Sequence, residues 1–256
     1  GSVYFNIQSY PDYGQLTNLD LDAQRTTTRI ASDEYTKDDP QDFALWKGWK
    51  EEDGDVVWGA PWGKGRPGWH IECSAMSNQY LGDHFDIHCG GVDNIFPHHE
   101  NEIAQSKCAT DQPFANHWLH SEHLLVEGGK MSKSLGNFYQ IKDLVDLGYS
   151  PENIRYQLLS GHYRTRITFS ADKKHEGDRV VNRIFDLKSR LFELGADSAA
   201  ESQLPAVYNE FISKLDDDLD APGALSLFFQ WMRTQNSKFD KGLYNDRDIG
   251  ESWEFL

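Results

Sequence analysis

Two lysines spaced three residues apart form the most informative pattern in the sequence. Lys130 and Lys133 lie in the run GGKMSKSLGN at 128–137, among small residues typical of a mobile loop. Ammonium groups on flexible stems act as movable point charges. Aimed at the α- and β-phosphates of a nucleotide, they would stabilise charge on leaving pyrophosphate, which is adenylyl-transfer chemistry. A solvated loop without chemistry is the ordinary alternative.

A cysteine, a histidine and a glutamate form a second candidate site. His98 and Glu102 are four apart on a predicted helix, so both project from one face, and Cys73 comes from an earlier segment. A thiolate, an imidazole and a carboxylate suit Zn²⁺, and a catalytic zinc keeps one position open for a ligand. Such a set also arises by chance, so these residues alone leave metal binding open.

The elements that must position these residues alternate between helices and strands. The predicted segments are a helix over 69–81, a strand over 85–88 ending in Gly90 and Gly91, a helix from Pro97 to about residue 107, and a strand over 124–126. This alternation predicts a parallel α/β sheet whose strand-end loops form the site.

The remaining sequence is turn-rich at its start and helical at its end. Residues 1–60 are polar and are predicted as an insertion with little helix. Helical periodicity covers 151–161 and 172–195, with Gly195 as a cap, and continues over 206–239 with an interruption at 216–220 and a new start at Pro222. The second half is therefore predicted as a helical bundle.

Composition limits the class of protein. The chain has 256 residues, and 38% of them are hydrophobic, enough for one sizeable core and a smaller appendage. No apolar run suits a membrane span and no export signal is visible, so a cytoplasmic protein without a membrane partner is expected. Three cysteines in a chain of this length favour a reducing compartment.

Charge gives two opposing indications about nucleic acid. The net charge of −16 would repel a polyanion at long range. A local basic face can override the total, and nine cations fall in one stretch: Arg155, Arg164, Arg166, Lys173, Lys174, Arg179, Arg183, Lys188 and Arg190. A solvated helix face is the alternative for this cluster.

Three longer motifs add a family resemblance to these patterns. GRPGWHIECSAM at 65–76, DIHCGGVD at 86–93 and FPHHENEIAQS at 96–106, together with the lysine run, resemble cysteinyl-tRNA synthetases, a family of class I aminoacyl-tRNA synthetases. The resemblance covers about residues 1–250. It implies a partial Rossmann-like catalytic domain at 1–150, with the KMSKS loop at 130–134, and a tRNA-binding stem-contact region and helical bundle at 151–256.

The resemblance also implies a partial chain. The family's early H-x-G-H-type signature, its first nucleotide-fold strand and its anticodon-binding end have no counterpart here. Cys73, His98 and Glu102 match three of the family's four zinc ligands, and the fourth, an early cysteine, is missing. Cys89 and Cys108 fall outside the ligand positions, so we expect two small buried thiols.

The function implied by the resemblance is that of a cysteine–tRNA ligase, expected to be monomeric. ATP with Mg²⁺ would activate L-cysteine, and the cysteinyl group would pass to tRNA(Cys). A zinc-bound thiol would separate cysteine from serine without editing. The resemblance assigns the site residues as follows: Lys130 and Lys133 to catalysis; Gly90, Gly91, Asp93, His120 and both lysines to ATP; Trp69 and His88 to the amino acid.

Two other functions stay open from the sequence. A ligase that joins activated cysteine to a small amine, of the mycothiol type, would use the same zinc and lysine loop. A non-catalytic binding module derived from a synthetase would explain the missing signature, although both lysines and three ligand positions are retained. For Trp69, ordinary core packing is the alternative to a role in the pocket.

Overall fold

The chain forms two compact units. The computed structural model describes residues 1–18, 42–196 and 204–256, and the units are Gly1–Ser121 and Glu122–Leu256. The onset of helical periodicity predicted a domain boundary at about residue 150. The boundary between the compact units instead follows Ser121, because it is set by which elements pack together. Residues 124–126 pair with 167–169, which ties the strands around the lysine loop to the later helices. Among the described helices, none is long and apolar enough to cross a membrane.

A small antiparallel sheet occupies the start of the first unit. Its strands are β1 (Val3–Phe5), β2 (Phe43–Gly48), β3 (Trp58–Ala60) and β4 (Gly63–Pro67), in the spatial order β1-β2-β4-β3. Only single 3₁₀ turns, such as Ile7–Ser9, accompany them in the described part of the predicted insertion. The rest of that insertion, residues 19–41, lies outside the described residues.

Three predicted elements of the first unit are present: α1 (Trp69–Leu81), β5 (Phe85–Gly91) and α2 (Glu100–Thr110). Strand β6 (Ala115–Ser121) follows them and was not predicted from the sequence. Strand β5 pairs with β6 in parallel register, from Phe85 opposite Ala115 to Gly91 opposite Ser121. Apolar side chains beneath this pair, among them Phe85, Ile103 and Phe114, form one core with Phe43.

The start of α2 differs from the prediction. Pro97 was expected at the first helical position, but it lies in an irregular turn, Ile95–His99, in which Phe96 has extended backbone angles (φ −133°, ψ 133°). The backbone N–H of Glu100 donates to the carbonyl oxygen of Ile95, five residues back, which closes a wider turn than the α-helical one, and also to that of Pro97. Regular helix therefore begins three residues later than predicted.

The second unit joins a three-stranded sheet to helices. Strands β7 (Leu124–Val126), β8 (Gly129–Lys130) and β9 (Ile167–Phe169) have the order β8-β7-β9. The helices are α3 (Ile141–Asp146), α4 (Pro151–Leu159), α5 (Lys174–Glu193), α6 (Val207–Asp216), α7 (Ala221–Asp240) and α8 (Asp246–Phe255).

Helix ends in the second unit follow the sequence signals. Gly195 has φ +87° directly after α5, as a C-terminal glycine should. Helix α6 ends at Asp216 and α7 restarts at Ala221 with Pro222 in its first turn, as predicted. Helix α8 was not predicted, because its short polar sequence has few apolar positions. Its Ile249 joins the bundle core around Leu187, Leu191 and Met232.

Candidate functional site

The three predicted metal-ligating residues come together in the first unit. Helix α1 carries Cys73, the irregular turn before α2 carries His98, and α2 itself carries Glu102. One donor atom from each, a sulfur, a ring nitrogen and a carboxylate oxygen, lies within 4.8 Å of the others. His98 Nε2 is 3.7 Å from Glu102 Oε1. The wide turn keeps His98 and Glu102 on one side despite the later start of regular helix.

The carboxylate of Glu102 provides the test of whether this set suits a metal ion. Its side chain is 0% exposed, and Oε1 has no hydrogen-bond partner of ordinary geometry among the described residues. A buried carboxylate oxygen left in this way is costly unless a cation or a donor satisfies it. Together with a thiol and an imidazole, it makes a donor set that fits Zn²⁺.

Burial shifts the pKa values of the two other proposed ligands. It raises the pKa of the Cys73 thiol, and the carboxylates of Glu102 and Glu72 raise it further. Burial also lowers the pKa of His98, opposed in part by Glu102. His98 is therefore held neutral, the form that binds metal, whereas the thiol needs a nearby cation to become a thiolate.

A second set of donors shares Glu102. His88 on β5 lies with Nε2 2.9 Å from Glu102 Oε2, and His99 Nε2 lies 4.0 Å from the same oxygen. His99 Nδ1 is 2.8 Å from His120 Nε2 on β6. Sequence reasoning assigned no role to His99. The sequence did contain a signal for His99, because a second histidine directly follows the proposed ligand His98.

Gly90 explains why His99 fits beside the strand. A Cβ atom at this position would lie 2.5 Å from His99 Cε1, so any larger residue would displace the ring. Gly91 leads into the turn Val92–Asn94, where Asp93 is exposed. Gly90, Gly91 and Asp93, three of the residues matched to ATP binding, thus lie at the carboxyl end of β5, and His120 lies opposite Gly90 on β6. Their role towards ATP stays a prediction.

Trp69 lies beside the metal-ligand set. Its side chain is 58% exposed, and its ring stacks on His98 with centroids 4.2 Å apart and planes 19° apart. Ordinary core packing therefore does not describe it. An exposed indole against a proposed ligand can shape a pocket wall, and this role also stays a prediction.

The expectation of two buried thiols was wrong. Cys89 and Cys108 are both exposed. Cys89 shares a face of β5 with Ile87, which is itself 56% exposed, because residues two apart on a strand point the same way. Cys108 lies in the last turns of α2, beyond its buried first half. Neither belongs to a donor set found among the described residues.

The lysine loop belongs to the second unit, where it extends from the hairpin of β7 and β8. Leu125 pairs with Lys130 across this hairpin, and Lys133 begins a short 3₁₀ turn that ends at Gly136. Both lysines are exposed, and neither forms an ion pair with the residues that the structure describes. Lys133 Nζ lies 5.3 Å from the centroid of the Phe138 ring. Within the described part of the chain, the loop thus presents two lysines without an ion-pair partner.

The nine predicted cations divide into paired and unpaired groups. The paired ones are Arg164 with Asp218, Arg166 with Glu122, Lys174 with Asp178, and Arg190 with Asp240. No ion pair with a described residue is formed by the other five, Arg155, Lys173, Arg179, Arg183 and Lys188. Of these, Arg179 and Arg183 are exposed and lie four residues apart on α5. Any basic surface therefore depends on fewer side chains than the sequence count suggests.

Solved structures define the class of fold. The chain resembles the LeuRS of Agrobacterium radiobacter in a ternary complex with tRNA and LeuAMS, with a TM-score of 0.62 and 13% identity, covering 79% of this chain and 31% of that one. It also resembles Mycobacterium tuberculosis methionyl-tRNA synthetase in complex with methionyl-adenylate, with a TM-score of 0.58 and 15% identity, covering 83% and 48%. The chain thus shares the fold of tRNA synthetases.

A family match gives the particular group. Residues 1–178 match the family described as the tRNA synthetases class I (C) catalytic domain, and the chain belongs to this family. It is 48% identical to the cysteine–tRNA ligase of Brachyspira hyodysenteriae over 97% of this chain, and 46% identical to that of Chlamydia pneumoniae over 96%. The matches cover 54% and 53% of those proteins, so the chain spans about half the length of the curated relatives it matches.

Proposed function

We propose that the protein activates L-cysteine with ATP and transfers it to tRNA(Cys), as a cysteine–tRNA ligase. The observation that carries this proposal is the buried Oε1 of Glu102, which has no hydrogen-bond partner of ordinary geometry among the described residues and lies beside the thiol of Cys73 and the imidazole of His98. A thiol substrate is the natural additional ligand for a zinc ion in such a set. The chain's similarity to cysteine–tRNA ligases supports the same substrate.

Cys73, His98 and Glu102 would hold the zinc ion. When bound, zinc supplies a site for a thiolate and distinguishes it from the hydroxyl of serine. Glu102 contributes negative charge from a fully buried position, and its other oxygen is held by His88. Trp69, stacked on His98, would form one wall beside the amino acid.

Lys130 and Lys133 would act on the triphosphate of ATP, which binds with Mg²⁺. The cysteine carboxylate attacks the α-phosphorus, the bond to the bridging oxygen breaks, and pyrophosphate leaves. No protein nucleophile takes part, so the gain comes from positioning and from stabilising charge on the leaving group. Gly90, Gly91, Asp93 and His120 would contact the nucleotide. The exposed cations of α5 would contact tRNA in a cytoplasmic, monomeric enzyme.

Cysteine-dependent exchange of pyrophosphate into ATP tests this activity. The protein expressed from its natural gene should catalyse exchange with cysteine and show far less with serine, because a hydroxyl is a weak zinc ligand. Equal exchange with both amino acids would contradict the role of the thiol. Charging should occur on tRNA(Cys), whereas acceptance by an aminosugar in place of tRNA would favour the small-amine ligase.

Metal binding by the 256-residue chain tests the ligand set separately. Cys73→Ser should lower zinc affinity by roughly 100-fold or more, because a thiolate ligand is lost. Cys108→Ser is the matched control, since this exposed cysteine lies outside the donor set, and it should leave affinity unchanged. Equal effects of the two substitutions would argue against the set.

A further inference from the structure

The side chain of Asn137 closes the base of the lysine loop with three hydrogen bonds. Its Nδ2 donates to the carbonyl oxygen of Lys130 at 3.1 Å and to that of Val126 at 3.2 Å. Its Oδ1 accepts from the backbone N–H of Ser132 at 2.8 Å. One amide group therefore joins the last residue of β7, the last residue of β8 and the first residue after Met131.

These bonds use what only a carboxamide of this length offers. The primary amide has two N–H donors and one carbonyl acceptor, and here each donor and the acceptor is engaged. A carboxylate would keep the acceptor but present negative charge to two carbonyl oxygens. A longer amide would move these groups by one methylene. The chemistry of the position is therefore specific to asparagine.

The lysine side chains themselves do little to hold the loop. Both are exposed and make no ion pair in the described part of the chain, and the ammonium group of Lys133 lies 5.3 Å from the centroid of the Phe138 ring. The hydrogen bond between Ser132 Oγ and Ser134 Oγ, at 2.7 Å, and the backbone bonds from Leu135 to Ser132 and from Gly136 to Lys133 all lie within the loop and do not anchor it. Asn137 instead connects the loop to a core strand, since Val126 is 1% exposed.

We infer that Asn137 is a positioning residue for Lys130 and Lys133. By fixing the carbonyl of Lys130 and the amide of Ser132, it sets the direction in which both ammonium groups leave the hairpin. A loop held in this way is already ordered when it meets the triphosphate, so binding costs less conformational entropy. The catalytic part of this inference rests on the proposed function, whereas the ordering of the loop does not.

Limited trypsin digestion of the 256-residue chain tests the ordering directly. Cleavage after Lys130 and after Lys133 is followed by mass spectrometry, with cleavage after exposed Lys188 as an internal reference. Asn137→Asp and Asn137→Ala should each raise cleavage in the loop by about tenfold or more relative to that reference, because an unanchored loop opens more often. Asn182→Ala, an exposed asparagine on α5, is the control and should cleave like the unsubstituted chain. Unchanged loop cleavage in both Asn137 variants would overturn the inference.

Kinetics in the protein from its natural gene test the positioning role. Asn137→Asp should lower kcat for cysteine-dependent exchange by about 10- to 100-fold and leave the KM for cysteine unchanged, because the lysines act on the leaving group. The midpoint of thermal unfolding should stay close to that of the unsubstituted protein. A KM increase for cysteine without loss of kcat would overturn the inference. If the unsubstituted protein shows no exchange, the proposed function fails, and the digestion still decides whether Asn137 orders the loop.

Discussion

His88 donates a hydrogen bond to the buried carboxylate of Glu102, with Nε2 2.9 Å from Oε2. The carboxylate is fully enclosed, so this bond fixes its orientation as well as satisfying one oxygen. The other oxygen is left facing the thiol of Cys73 and the ring of His98. His88, which the sequence associated with the amino acid, thus acts on a proposed metal ligand in this structure.

Replacing His88 by phenylalanine should weaken metal binding without removing a proposed zinc ligand. An aromatic ring is kept at the position and the N–H donor is lost, so the zinc affinity of the chain should fall by about 10- to 100-fold, as for other residues that orient metal ligands. A chelator-competition titration measures this. His117→Phe, on an exposed position of β6, is the control. Equal zinc affinities for the unsubstituted chain, His88→Phe and His117→Phe would mean that the bond from His88 does not orient Glu102.

The lysine loop should contribute to turnover and hardly to cysteine binding. Lys133→Ala is expected to reduce cysteine-dependent exchange by at least ~10²-fold, the loss of about 2.7–4 kcal/mol typical of one charge-stabilising group. Lys142→Ala removes an exposed lysine of α3 and should have little effect. The assay is exchange in the protein from its natural gene, with the KM for cysteine measured alongside. A matching loss of cysteine affinity would place Lys133 in a different role.

Affinity for tRNA should depend on unpaired cations more than on total charge. Arg179→Ala combined with Arg183→Ala should reduce the salt dependence of tRNA binding by about 0.7–0.9 in slope for each lost phosphate contact. Arg166→Ala with Arg190→Ala removes the same charge from residues already paired with Glu122 and Asp240, and should change the slope less. Binding titrations at several salt concentrations measure both. Identical slopes would indicate a solvated helix face.

Acid should destabilise the metal-free chain through His99. Burial and the neighbouring histidines lower the pKa of His99 to about 3. The unfolded chain takes up a proton below about 6.5 while the folded chain does not, so the free energy of unfolding falls as pH decreases through that range. Between pH 7 and 5 this costs about 2 kcal/mol.

Denaturant unfolding of the chain in excess chelator measures the effect. His99→Gln should lose less stability than the unsubstituted chain between pH 7 and 5, whatever its stability at pH 7. Between pH 8 and 7 the two should change alike, which serves as the control. An equal loss in both chains between pH 7 and 5 would show that another group carries the acid sensitivity.

Local signals in the sequence were enough for most elements. Helix α1 and strand β7 lie at their predicted positions, and the break between α6 and α7 follows from the aspartates at 216–220 and from Pro222. These signals are local because a capping residue, a proline or a period of apolar positions acts within one or two turns of chain. Residue types and spacing likewise sufficed to propose Cys73, His98 and Glu102 as a donor set and to single out the lysine loop.

Only the tertiary structure decided how these residues act on one another. The sharing of the Glu102 oxygens between two sets of donors, the packing of His99 against Gly90 and the three bonds of Asn137 all join atoms from different elements. The exposure of Cys89 likewise depends on what covers one face of β5. Spacing along the chain determines which side chains share a face. Distances between faces follow from packing. The sequence therefore proposed the donors, while the folded chain determined which oxygen of Glu102 has no ordinary hydrogen-bond partner among the described residues.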